Sequence, residues 1–126
     1  MKNFENVLNL LGRLAIAALF LPAGLSKLMG VEGAVGYFSS LGLPVAFVLV
    51  WVVIAIEVLG GLALILGYKT RFVAIGLAVF TVLASIAGHA FWAAPADAAF
   101  IAQLLFFKNI AVTGGLLVLA LSLIHI

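Results

Sequence analysis

The run from Gln103 to Leu119 (Gln-Leu-Leu-Phe-Phe-Lys-Asn-Ile-Ala-Val-Thr-Gly-Gly-Leu-Leu-Val-Leu) is apolar enough to cross a bilayer, yet Lys108 and Asn109 sit near its middle. A charged side chain at the centre of a membrane helix costs about 2.5–3.5 kcal/mol on insertion scales. Such a segment is tolerated where neighbouring helices supply a partner. The rest of the chain is therefore constrained by what it can bring up to Lys108.

Three further apolar stretches of near-spanning length accompany it, about twenty residues being enough to cross. The expected helices are residues 7–29, 44–66, 71–90 and 99–124. Period-2 patterning is absent, and lone strands cannot satisfy their backbone in lipid, so all four are expected to be helical. The chain of 126 residues is 67% hydrophobic and 8% charged, with a mean hydropathy of +1.44. A soluble domain is about half apolar and about a quarter charged. The fold class that follows is an all-α integral membrane four-helix bundle, one transmembrane domain over residues 1–126. Its first partner is the lipid bilayer.

Gly30 to Gly42 reads as a loop holding Glu32, Gly33, Gly36 and Tyr37, and Pro44 opens the second segment. Thr70 is placed to cap the third. Lys2, Lys69 and Arg71 fall on one side of the bundle, whereas Lys27 is balanced by Glu32 on the other. The positive-inside rule then puts both termini in the cytoplasm. Lys2 and the apolar run behind it imitate a signal peptide, but Arg13 and Lys27 bracket the run, so the first helix is expected to stay. Small residues at Gly60 and Gly61, Ala74 and Ala78, and Ala111 and Gly115 suit close helix contact.

Several functions are excluded by composition. The net charge of +2 rests on six basic and four acidic residues, with no basic, aromatic-rich patch for nucleic acid. The chain has no cysteine, so thiol redox chemistry, iron–sulfur ligation and Cys-zinc sites are out. His89 and His125 belong to opposite ends of the bundle, about 25 Å apart, and cannot share one haem. No phosphate loop, His-Glu-x-x-His motif or nucleophile set is present, and Glu57 alone is no carboxylate pair. No metal is expected and no intrinsic cofactor.

The intramembrane polar residues are what remains. Counting depth at 1.5 Å per residue from each span's ends sets Glu57 between Arg13 and Lys108, within reach of both long side chains. The expectation is a buried charge cluster of Arg13, Glu57 and Lys108, either a pin for helix register or part of a site. Arg13, Ala17, Phe20, Gly24 and Lys27 follow a 4-3-4-3 spacing and share a face, and Thr81, Ser85 and His89 form a second track. Lys27, His89, Trp92 and Gln103 would rim a polar vestibule on the outer side, with the cluster as its floor. The plainer alternatives are a snorkelling Lys27, interface anchors at Tyr37, Trp51 and Trp92, and a helix-end His89.

Phe20-Leu-Pro-Ala-Gly24-Leu-Ser-Lys27-Leu28, Gly42-Leu-Pro44, Glu57 with Gly60-Gly61, Gly67-Tyr-Lys-Thr70-Arg71, His89-Ala-Phe91-Trp92 and Phe106-Phe-Lys108-Asn109-Ile-Ala-Val-Thr-Gly114-Gly115 run in order through the chain. Together they resemble the DoxX family, in particular its short inner-membrane members. The resemblance implies a small four-helix membrane protein of the prokaryotic inner (plasma) membrane, with Arg13, Lys27, Glu57, His89, Lys108 and Asn109 at the family's polar positions. Some such proteins are subunits of a thiosulfate:quinone oxidoreductase, and others accompany redox complexes. The resulting expectation is a redox-associated, quinone-linked membrane subunit with an amphipathic or anionic ligand in the vestibule. Lys27, His89, Trp92, Gln103, Lys108 and Asn109 would bind it. Phe20, Phe91 and Trp92 would pack its ring, and Lys108 and Arg13 would favour its reduced, anionic form. Quinone is the cofactor implied, and membrane oxidoreductase subunits or further copies of the chain are the partners. The alternatives are a non-catalytic scaffold for a partner oxidoreductase and a small-solute or anion carrier.

Overall fold

A computed structural model of the chain describes residues 2–88 and 95–122. Helix α1 (Lys2–Met29) leads through a short α2 (Val31–Ser40) into α3 (Ala46–Leu66), and α4 (Thr70–Gly88) and α5 (Ala99–Ser122) complete the described residues. Four helices have the length and apolar composition to cross a membrane: residues Asn3–Met29, Ala46–Leu66, Thr70–Gly88 and Ala99–Leu121. The all-helical, four-span expectation holds.

Residues 31–40 are helical, where a loop was expected. Half-buried Val31, Ala34, Val35 and Phe38 recur at i, i+3, i+4 and i+7, which is one face of a helix. Gly33 and Gly36 lie on the opposite, exposed face, where a glycine costs propensity but no packing. The helix ends with the Leu41 amide donating to the Tyr37 and Phe38 carbonyls at 3.2 Å, and Gly42 reverses the chain at φ 78°. The third span also begins differently from expectation. Thr70 is its buried first residue and not its cap; Lys69, at φ 43°, is the residue outside the helix, and its carbonyl accepts from the Val73 amide at 3.0 Å.

The spans pack as two pairs, α1 against α3 and α4 against α5, with a narrower α3–α4 contact and a sparse α1–α5 contact. The tightest packing is at the end carrying the N-terminus and the α3–α4 turn. There Ala17 and Phe20 meet Leu64, Ala74, Leu77, Ala78, Leu116, Leu119 and Ala120. Burial in α5 begins only at Leu116, and nothing from residue 99 to 115 is fully buried. The bundle is thus closed at the α3–α4 turn and looser toward α2.

Candidate functional site

The α1–α3 pair sets the geometry of the charges, and two glycines set the pair. A Cβ on Gly61 would lie 3.0 Å from the Leu21 Cβ and 3.2 Å from its amide nitrogen. One on Gly24 would lie 2.7 Å from the Val58 Cγ2, 3.0 Å from the Val58 nitrogen and 3.0 Å from the Glu57 Cβ. Backbone meets backbone at both places, which only glycine permits in membrane helices this close. The antiparallel register is thereby fixed, with Leu21 opposite Gly61 and Gly24 opposite Val58.

Continuing that register puts Lys27 level with Ala55 and Arg13 level with the turn at Lys69. Glu57 is therefore twelve residues, or about 18 Å along the helix, from Arg13's level. The expected Arg13–Glu57–Lys108 cluster does not form. Glu57 is paired with Lys27, whose Nζ donates to Oε1 at 2.8 Å. The carboxylate is buried at 7% exposure, and the lysine is partly open. Counting depth from each span's own ends misjudged the pairing because α1 runs further than α3 toward the closed end.

Arg13 has a different task. Its Nη1 donates to the Leu64 carbonyl at 2.9 Å and its Nε to the Asn9 Oδ1 at 2.9 Å. Leu64 lies in the last turn of α3, where carbonyls lack helical partners and the helix dipole is negative. Gly67 closes that helix at φ 75°, and a Cβ there would strike the guanidinium at 2.8 Å. Arg13 caps α3 and takes no part in the site above it.

The site is a cavity of about 520 Å³ toward the α2 end. Leu19, Phe20 and Ala23 of α1, Val53 and Ile56 of α3, and Phe80, Thr81 and Ala84 of α4 form its wall; Tyr37, Phe38 and Leu41 close it from α2 and the following turn. Lys27, Glu57, Lys108 and Asn109 all line it. The chamber is apolar with a polar pole, and not the polar vestibule expected. Phe20 and Phe80 stand 6.5 Å apart between ring centres, and the Tyr37 hydroxyl donates to the Gly88 carbonyl at 3.4 Å, joining α2 to the end of α4.

Of the residues singled out from sequence, the structure brings Lys27, Glu57, Lys108 and Asn109 to this one cavity, with Phe20 and Thr81 in its wall. Gln103 is exposed on α5 and lines no part of it. His89, Phe91, Trp92 and His125 lie outside the described residues. The Thr81 and Ser85 hydroxyls are buried but donate to carbonyls of their own helix, Leu77 at 2.7 Å and Thr81 at 2.8 Å. Lys108 is exposed and at the same time lines the cavity, which puts it at the mouth.

The sequence profile of the DoxX family matches residues 8–90. The chain belongs to the DoxX family. It is 32% identical over 116 residues, 92% of this chain and 83% of the relative, to the inner membrane protein YphA of Escherichia coli (strain K12). It is 36% identical over 122 residues, 97% of this chain and 88% of the relative, to the inner membrane protein YqjF of the same organism. A third match, 40% identical over 74 residues, covers 59% of this chain and 53% of a Bacillus subtilis (strain 168) protein named "Putative oxidoreductase CatD". No solved structure gives a significant match. A multi-pass inner-membrane location, as expected for a DoxX protein, agrees with the first two relatives and with the four candidate spans.

Proposed function

We propose that this DoxX protein is a redox-associated membrane subunit that holds an amphipathic ring ligand, a quinone, in the cavity at the α2 end. The carrying observation is a single chamber whose apolar walls converge on Lys27, Glu57, Lys108 and Asn109. Ligand sites are mostly apolar with a few polar groups that fix orientation. Phe20 and Phe80 would flank the ring, and the lysines and the Asn109 amide would donate to its oxygens. The oxidoreductase in the name of the CatD relative supports the redox side of this proposal. Both termini are assigned to the cytoplasm on the basic residues Lys2, Lys69 and Arg71.

Titration of the purified protein in nanodiscs with a short-chain quinone analogue tests it. Micromolar binding is expected, weakened about tenfold by Lys108→Ala, the loss of one hydrogen bond to a charged group. No binding by the wild type overturns it. A second reading, a scaffold for a partner oxidoreductase, is favoured by Ala111 and Gly115. Both are exposed on α5, and a Cβ on Gly115 would meet nothing within 4 Å. Ala111→Leu or Gly115→Leu would then abolish co-purification of the partner and leave quinone binding intact.

A further inference from the structure

Among the described residues that line the cavity, two lysines face one carboxylate. Four side-chain carboxylates occur in the sequence: Glu5, Glu32, Glu57 and Asp97. Glu5 is in the first turn of α1, Glu32 in the first turn of α2, and Asp97 in the turn before α5, so all three sit at ends of helices. Glu57 alone of the four lies away from a helix end, in the interior of α3, and its ion pair is with Lys27 at 2.8 Å. Lys108 is nine residues into α5, about 13 Å from its start, deeper than its own stem can span to the surface. Among the described residues no ion pair holds Lys108, so a counter-charge from outside the chain would balance it.

Two sources are open to it, a ligand in the cavity or a carboxylate on another protein's helix. The cavity is favoured, because Lys108 and its neighbour Asn109 both line it and supply an ammonium and an amide side by side. With Glu57 neutralising Lys27, the lining carries one surplus positive charge. A single negative charge balances it; a doubly charged phosphate would leave a second charge buried without a partner, and a neutral lipid would leave the ammonium uncompensated.

We infer that the cavity binds a monoanionic amphiphile, its carboxylate or phenolate head group on Lys108 and Asn109 and its apolar body between Phe20, Ile56 and Phe80. The ligand reaches the cavity from the bilayer. Lys108 stands at the mouth, and α5 leaves this half of the bundle loosely covered, none of its residues being buried before Leu116. The inference rests on the cavity being a ligand site, as proposed above, but not on the ligand being redox-active.

Equilibrium binding in nanodiscs of zwitterionic lipid tests it with three probes: dodecanoate, an alkyl nitrophenolate ionised at neutral pH, and dodecanol as the neutral match. The two anions distinguish a fatty acid from an acidic phenol as the source. At least one is expected to bind about tenfold or more tighter than dodecanol. Lys108→Gln should erase that preference and Lys108→Arg should retain it. Should Lys108→Gln fail to fold, Asn109→Ala carries the test, with a weakened anion and unchanged dodecanol. Equal binding of dodecanol and both anions overturns the inference, as does a preference that survives Lys108→Gln. It also falls if Lys108→Gln releases a co-purifying membrane subunit without changing anion binding, since the counter-charge is then a partner's carboxylate. Binding of dodecanoate that depends on Lys108, with no binding of the quinone analogue, sustains the anion site and sinks the quinone proposal alone.

Discussion

Arg13 and Lys108 are both cations set inside apolar helices, and the fold treats them in opposite ways. Arg13 is half-buried at the closed end, where the Leu64 carbonyl and Asn9 amide oxygen take its hydrogens. Lys108 is at the open end, exposed beside a chamber whose one lining carboxylate, Glu57, is already held by Lys27. A cation whose partners are backbone carbonyls works for the fold. One whose surroundings are an apolar cavity is available to whatever fills it.

The largest effect should come from the element that separates the two. Gly24→Leu forces side-chain atoms into the Val58 backbone and the Glu57 Cβ, so α1 must leave α3 and the Lys27–Glu57 pair must break. The expected loss is about 3 kcal/mol or more, the upper range for overpacking, read as a collapse of the thermal midpoint in micelles. A midpoint within a few degrees of wild type would dissolve the register on which the contrast depends.

Next in size is the contrast itself. Arg13→Met removes a charged donor from a helix-end carbonyl and should cost about 1.5–3 kcal/mol. Lys108→Met in the ligand-free protein should cost nothing and is expected to raise the midpoint, because a charge leaves the apolar span. Parallel unfolding curves for the two variants decide it; equal destabilisation would make Lys108 a structural residue like Arg13. The smallest effect is expected at Tyr37→Phe, which removes only an exposed 3.4 Å bond to Gly88 and should shift stability by less than about 0.5 kcal/mol. A larger shift would mean that α2 helps hold the open end together.

The spans were legible because lipid demands about twenty apolar residues and the sequence supplies four such runs. The inward face of α1 was legible too: Ala17, Phe20 and Gly24 are buried at the spacing that joins Arg13 to Lys27. Pairing was not, because each helix was measured from its own ends, whereas the register between helices is set by Gly24 against Val58 and Leu21 against Gly61. Gly24 lies three residues before Lys27 and Gly61 four after Glu57, and that small-residue spacing was the available signal. Ala111 and Gly115 carry the same kind of spacing but mark no contact within the described residues: both are exposed, and a Cβ on Gly115 meets nothing within 4 Å. The cavity wall was the least legible part. In a soluble chain Leu19, Ile56 and Phe80 would stand out as core, but here apolar residues face inside and outside alike, and hydropathy loses its power to tell them apart.

The glycine contacts have a mechanical side. They clamp α1 to α3 at two heights, so these helices form one stiff jaw that carries Lys27 and Glu57. Lys108 and Asn109 ride on the other jaw, α4 with α5, joined to the first through the tight turn at Gly67 to Lys69. A guest that spreads the chamber would leave the Lys27–Glu57 distance unchanged and alter only how far Lys108 stands from it. Paired spin labels on α1 and α5, compared with a pair on α1 and α3, would register such a movement in the first pair and silence in the second.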